Sequence, residues 1–231
     1  MDQSKNVLII GEGSPIAREL IDIYMANSYR CFATYRSKCQ ESVVIDRIHL
    51  DIKDEGSIVK LQEYVVSRQI GNIIYLPCKR VECSFHDLNA KNLHESFFVN
   101  SFAYWLLIAK TMPFMQSKNY GRFLSFSSIG SKYGGSCFNF SYTSSKKCLE
   151  HFPRAFKELA ASNVFINNII TGATDTEFLK SKKNFDLDGR TSLIPTKRLA
   201  EPSEIAVIAF NLCSKINTYQ TLSNTTIAGG E

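Results

Sequence analysis

Tyr142-Thr-Ser-Ser-Lys146 sets a phenol and an ammonium at positions i and i+4, which share one face of a helix. A phenol titrates near ~10 in water, and a neighbouring cation favours its ionised form, bringing it closer to acid–base work at neutral pH. The same spacing also arises on solvated helix faces, so the pair needs company before it signifies chemistry. Two candidates stand nearby. Phe126-Ser-Ser128 ends an apolar run with a hydroxyl, and Asn100 lies within Phe97-Phe-Val-Asn-Ser101. If the run is a strand of an open α/β sheet, Ser128 stands at its carboxyl edge, where such sheets bind ligands.

A second cluster follows the first apolar run, Val7-Leu-Ile-Ile10. There Gly11-Glu-Gly-Ser-Pro-Ile-Ala17 leads into a stretch of helical period. A nucleotide's pyrophosphate needs a tight turn without side chains and free backbone N–H groups at a helix N-terminus. Ser14 suits the N-cap and Pro15 the first helical position, with Ile16 opening the apolar stripe. A plain strand-to-helix turn would read the same way. The spacing is Gly-x-x-x-Pro-x-Ala, and Pro15 both removes a backbone donor and adds a ring beside the expected phosphate.

The elements that must position these groups alternate along the chain. Strands are expected at Val7–Ile10, Cys31–Thr34, His49-Leu50, Ile73–Leu76, Arg122–Phe126, Val164–Ile170 and Thr225–Ala228. Helical stripes lie between them: Ile16, Leu20, Ile21 and Tyr24; Ile58, Leu61, Tyr64 and Val65; Phe97–Met115, broken near Pro113; Tyr142–Ala161; and Ile205–Cys213. This alternation predicts a Rossmann-type, doubly wound parallel β-sheet of about seven strands, flanked by helices in three αβα layers. Neither repeat nor linker interrupts it, so residues 1–231 form one domain.

Composition narrows the class further. The chain has 231 residues, 44% of them hydrophobic and 21% charged, with a net charge of +5, an ordinary globular balance that does not indicate nucleic acid. The seven cysteines are odd in number and lack C-x-x-C spacing, and the four histidines are scattered. Disulfide framework and metal site are both poor readings. The N-terminus lacks a signal-peptide pattern, and the longest apolar stretch falls far short of the ~20 residues of a membrane span. A soluble, cytoplasmic protein with reduced thiols is expected, with no membrane partner and no metal.

Taken together and in order, these segments resemble the short-chain dehydrogenase/reductase family over nearly the whole chain. The matching pieces are Gly11–Ala17, Asp51-Ile52, Asn100, Ser127-Ser128, Tyr142–Lys146, Thr171-Gly-Ala-Thr-Asp-Thr176, Arg198-Leu-Ala-Glu-Pro-Ser-Glu204 and Ile227-Ala-Gly-Gly230. Each match is weak alone; their common order carries the resemblance. It implies that Tyr142 is the general acid in carbonyl reduction, or the base in alcohol oxidation. Lys146 would lower the Tyr142 pKa and hold the nicotinamide ribose, Ser128 would bind the substrate oxygen, and Asn100 would hold a relay water. Gly11, Ser14, Pro15 and Ile16 would meet the cofactor's phosphates, Asp51 and Ile52 its adenine, and Gly172 and Thr176 its nicotinamide half. Within Thr34-Tyr-Arg-Ser37, no acidic residue ends the second strand. Arg36 stands there instead, able to grip a 2′-phosphate, so NADP(H) is expected over NAD(H).

The chain also departs from that pattern. Leu76-Pro-Cys-Lys79, then Arg80, stands where the family usually carries Asn-Asn-Ala-Gly, Thr171 replaces a proline, and Pro153 should kink the Tyr/Lys helix. Residues 176–198 would form a substrate lid, in which Lys180, Lys182, Lys183 and Arg190 could favour an anionic substrate, although such lysines are usually just solvated. Apolar surface on Phe97–Met115 and Cys148–Leu159 points to a homodimer or homotetramer. The expected activity is NADP(H)-dependent interconversion of a carbonyl and an alcohol on a small molecule. The rival is a catalytically impaired relative serving assembly or regulatory binding. A nucleotide-sugar epimerase is disfavoured, because Gly230-Glu231 leaves no substrate domain.

Overall fold

The computed structural model describes residues 2–36, 45–182 and 185–231. Seven strands, β1 (Asn6–Ile10), β2 (Arg30–Tyr35), β3 (Asp46–His49), β4 (Asn72–Tyr75), β5 (Gly121–Ser128), β6 (Val164–Thr171) and β7 (Asn224–Ile227), form one sheet. Its order is β3-β2-β1-β4-β5-β6-β7 and every pairing is parallel. The order reverses between β1 and β4, which creates a crevice beyond their carboxyl ends. Register keeps those ends level: Ile10 pairs with both Thr34 and Tyr75, and Ser128 with Thr171.

Both sheet faces are covered, so alternate residues of β1 enter different cores. Val7 and Ile9 pack with α1 (Pro15–Ala26) and α8 (Pro202–Leu212). Leu8 and Ile10 face the core built by α2 (Glu55–Ser67) and α4 (Ala103–Ser117). A strand buried on both faces must be apolar throughout, which is why Val7–Ile10 shows no alternation. The remaining helices are α3 (Ala90–Phe97), α5 (Phe140–Cys148), α6 (Glu177–Lys180) and α7 (Leu187–Ser192).

Two helical expectations are corrected. α4 runs unbroken through Pro113. Pro113 is exposed, so the carbonyl its ring deprives of a partner reaches water while Tyr104, Leu107, Ile108 and Met115 hold the helix to the sheet. The discontinuity lies upstream, in a π-helical turn at Phe98–Phe102 that joins α3 to α4. The Tyr/Lys helix, in turn, is not a kinked long helix. α5 ends at Cys148, and a separate 3₁₀ helix spans Arg154–Ser162 with Pro153 at its N-cap. Proline pushes its preceding residue out of the helical region, so the chain breaks rather than bends. Cys148–Leu159 therefore offers no continuous helical face.

Candidate active site

The carboxyl ends of β1, β2, β4, β5 and β6 open into a cavity of ≈ 1710 Å³. Of the residues singled out by sequence, Gly11, Ser14, Pro15, Ile16, Arg36, Asp51, Ile52, Ser128, Tyr142, Lys146, Gly172 and Thr176 all line it. Asn100 does not; it sits fully buried behind the wall. Ser37, Lys38 and Lys183 lie outside the described residues.

Tyr142 and Lys146 come from the first two turns of α5, and Ser128 is the last residue of β5. Tyr142, Ser128 and Cys78 line the same cavity, near enough for Ser128 and Cys78 to influence the phenol. Burial holds the phenol well above its ordinary value, Cys78 adds to the rise, and the Ser128 hydroxyl opposes it. Lys146 is not among the leading influences on the phenol. Its buried Nζ donates to the Phe126 carbonyl at 2.8 Å, and burial lowers its own pKa. Desolvation dominates at both groups because the surrounding protein wall withholds solvent from the charged form.

Asn100 acts as a clamp. Its Oδ1 accepts from the Lys79 backbone N–H at 2.7 Å, while Nδ2 donates to the Lys79 carbonyl at 2.9 Å and to Ser145 Oγ at 2.8 Å. The π turn thus ties the segment after β4 to the helix carrying Tyr142. That segment contains a residue sequence reasoning missed. Cys78 is exposed to the cavity, where desolvation by the surrounding wall raises its thiol pKa while Lys146 and Tyr142 oppose the rise. Its place directly after the β4 run could have drawn attention to it.

The glycine turn keeps two free donors despite Pro15. The backbone N–H groups of Gly13 and Ile16 make no hydrogen bond among the described residues, while those of Ser14 and Ala17 bond inward to Gly11 and Ser14. Gly11 has φ +92, and any Cβ there would meet Pro77 N at 3.5 Å. Space above Gly13 is open, with no atom within 4 Å of where a Cβ would stand. Glu12 would repel a phosphate, but Arg47 on β3 pairs with it at 2.6 Å. Arg36 is exposed at the end of β2 and lines the cavity. Thus the donor set fits an anionic dinucleotide: a side-chain-free turn, two free N–H groups at the start of a twelve-residue helix, and a nearby guanidinium.

Arg80, in the segment after β4, fastens the stretch that follows β6. Arg80 stacks on the Phe178 ring at 4.4 Å, donates to the Phe178 carbonyl at 2.7 Å and to Ser181 Oγ at 3.2 Å, and pairs with Glu82 at 2.8 Å. Phe178 in turn lies 6.1 Å, ring to ring, from Tyr142.

A tyrosine, serine and lysine at the carboxyl edge of a seven-stranded parallel sheet, beside a glycine turn, define a dinucleotide-dependent oxidoreductase class. The family model described as enoyl-(acyl carrier protein) reductase matches residues 21–231, and the chain belongs to the short-chain dehydrogenase/reductase family. β1 and the glycine turn fall outside that match. Oxidoreductase YmfI of Bacillus subtilis is 22% identical over 98% of both chains. Acetoacetyl-CoA reductase of Cupriavidus necator is 30% identical over 50% of this chain and 47% of its own. Among solved structures, ElxO with NADP bound superposes with a TM-score of 0.87 at 20% identity, covering 97% of each chain. A 3-oxoacyl (acyl-carrier-protein) reductase from Agrobacterium tumefaciens with NADP bound gives 0.88 at 16% identity, covering 98% and 94%.

Proposed function

We propose that this oxidoreductase uses NADP(H) to interconvert a carbonyl and an alcohol on a small molecule, with Tyr142 as the proton donor and acceptor. One observation carries the reading: Tyr142 and Ser128 line one cavity together with the glycine turn and Arg36. Bound NADP(H) supplies the hydride. Ser128 orients the substrate oxygen against the Tyr142 hydroxyl, which gives its proton as negative charge develops there. Lys146 contributes positive charge at the cavity wall, and Asn100 acts through the segment it clamps. Gly13 and Ile16 bind phosphate oxygens, while Arg36 takes the 2′-phosphate. Titration with NADPH and NADH, followed by nicotinamide fluorescence, tests this. NADPH is expected to bind more tightly; tighter NADH binding refutes the role of Arg36. Binding of neither in the micromolar range refutes the enzyme.

Pro15 and the Leu76–Lys79 segment favour a second reading, in which the fold serves assembly or regulatory binding without turnover. The same titration separates the two. The proposal extends to self-association as a homodimer or homotetramer. Phe102 stacks on Trp105 at 5.8 Å, and with Leu106 it leaves an apolar outer face on α4. A cytoplasmic compartment belongs to the same proposal, supported by six free thiols among the described residues.

A further inference from the structure

Four lid cations are candidates for substrate recognition, and the structure separates them. Lys180 pairs with Asp175 at 2.6 Å, beside Glu177, and does not line the cavity. Arg190 lines it but is held by both carboxylate oxygens of Glu231, at 2.8 and 2.5 Å. Lys183 lies outside the described residues. Lys182 remains. It lines the cavity that holds Tyr142 and Ser128, and its ammonium makes no hydrogen bond or ion pair with any described residue.

Its surroundings give that charge a use. Lys182 is half-buried, and its neighbours include the guanidinium groups of Arg80 and Arg190, each already matched to a carboxylate. Burial and those two charges disfavour the ammonium, with Glu82 acting in the opposite sense. A cation left unmatched beside two others gains most from an arriving anion, because the anion relieves repulsion while forming a charge-assisted bond. Glu177 also lines the cavity, but its carboxylate lies near Lys180. The Phe178 ring lies 6.1 Å from that of Tyr142, and Lys182 follows just beyond the end of α6, the helix that carries Phe178.

We propose that Lys182 anchors an anionic group, carboxylate or phosphate, at the end of the substrate remote from its reacting carbonyl. This rests on the reductase reading of the site. The substrate then lies along Phe178, with its carbonyl at Tyr142 and its charge at Lys182.

The test uses keto acids of graded chain length and their methyl esters, with the NADPH-loaded protein. Binding is read by calorimetry on the NADP⁺ complex, and reduction by loss of NADPH absorbance. At least one acid should bind more tightly than its ester. Lys182→Gln should cut that acid-over-ester preference by about ten- to hundredfold, Lys182→Glu should invert it, and Lys182→Arg should retain most of it. If no acid outbinds its ester, or if Lys182→Gln leaves the preference intact, the anchor is refuted even where reduction proceeds. If acids bind in a Lys182-dependent way and none is reduced, the anchor stands and the reductase reading fails.

Discussion

Tyr142 carries two predictions, because the proposed role rests on a single proton. Tyr142→Phe should leave NADPH affinity within about twofold and lower kcat/KM by at least 10²–10⁴, the usual worth of a positioned acid; loss of NADPH affinity instead would make Tyr142 a binding residue. Burial holds its pKa above the ordinary value, so the neutral phenol persists through neutral pH. Reduction needs that neutral form. Its kcat/KM should therefore stay level from about pH 6 to 9 and fall only as the phenol ionises, whereas oxidation, which needs phenolate, should rise across the same range. A fall in reduction with a midpoint near neutrality would contradict the burial argument. Cys78, which lines the same cavity as Tyr142, stands at the alanine position of the Asn-Asn-Ala-Gly pattern. Its thiol replaces a methyl group beside the reacting centre.

At the scale of elements, the site depends on short pieces held by specific contacts. Asn100 joins the π turn, the Lys79 backbone and Ser145 of α5 through three bonds within the protein. Asn100→Ala should cost about 2–3 kcal/mol, at ~1 kcal/mol net per bond. It should also lower kcat/KM, since the wall bearing Cys78 loosens. Thermal unfolding with parallel kinetics checks both, and wild-type kinetics at reduced stability would remove Asn100 from the site. Gly172 shows why a motif glycine sits where β6 meets β7: a Cβ there would come within 2.6 Å of Ala228 Cα. Both residues are visible in the sequence as motif letters. Their reasons are not, because each reason lies on another element. The family resemblance gives Asn100 a relay water to hold; its side chain bonds the Lys79 backbone and Ser145.

The whole molecule separates stability from chemistry along its strands. Arg122, at the start of β5, is 2% exposed and has no carboxylate partner among the described residues. It bonds to the carbonyls of Gly121, Asn163 and Asn217, and it stacks on Tyr120 and Phe165. Ser128 ends the same strand, roughly 20 Å away at ~3.3 Å per residue. Arg122→Met should cost about 2–5 kcal/mol by stranding three carbonyls, with Tm falling by about 2–4 °C per kcal/mol. KM for NADPH should not change; a change would show that the amino edge of the sheet reports to the carboxyl edge.

Sequence alone determined the alternation of strands and helices, the parallel sheet, and which residues would meet at its carboxyl edge. Strand–helix order on a doubly covered sheet permits few topologies, and Gly11, Ser128 and Tyr142 follow strand ends that register must bring level. Only tertiary structure decided how those residues are tuned. Whether Lys146 or burial sets Tyr142, whether Pro113 breaks α4, and which lid cation lacks a partner all depend on distances between residues far apart in the chain. Local spacing cannot encode desolvation, because solvent is excluded by whatever the rest of the chain packs around a group.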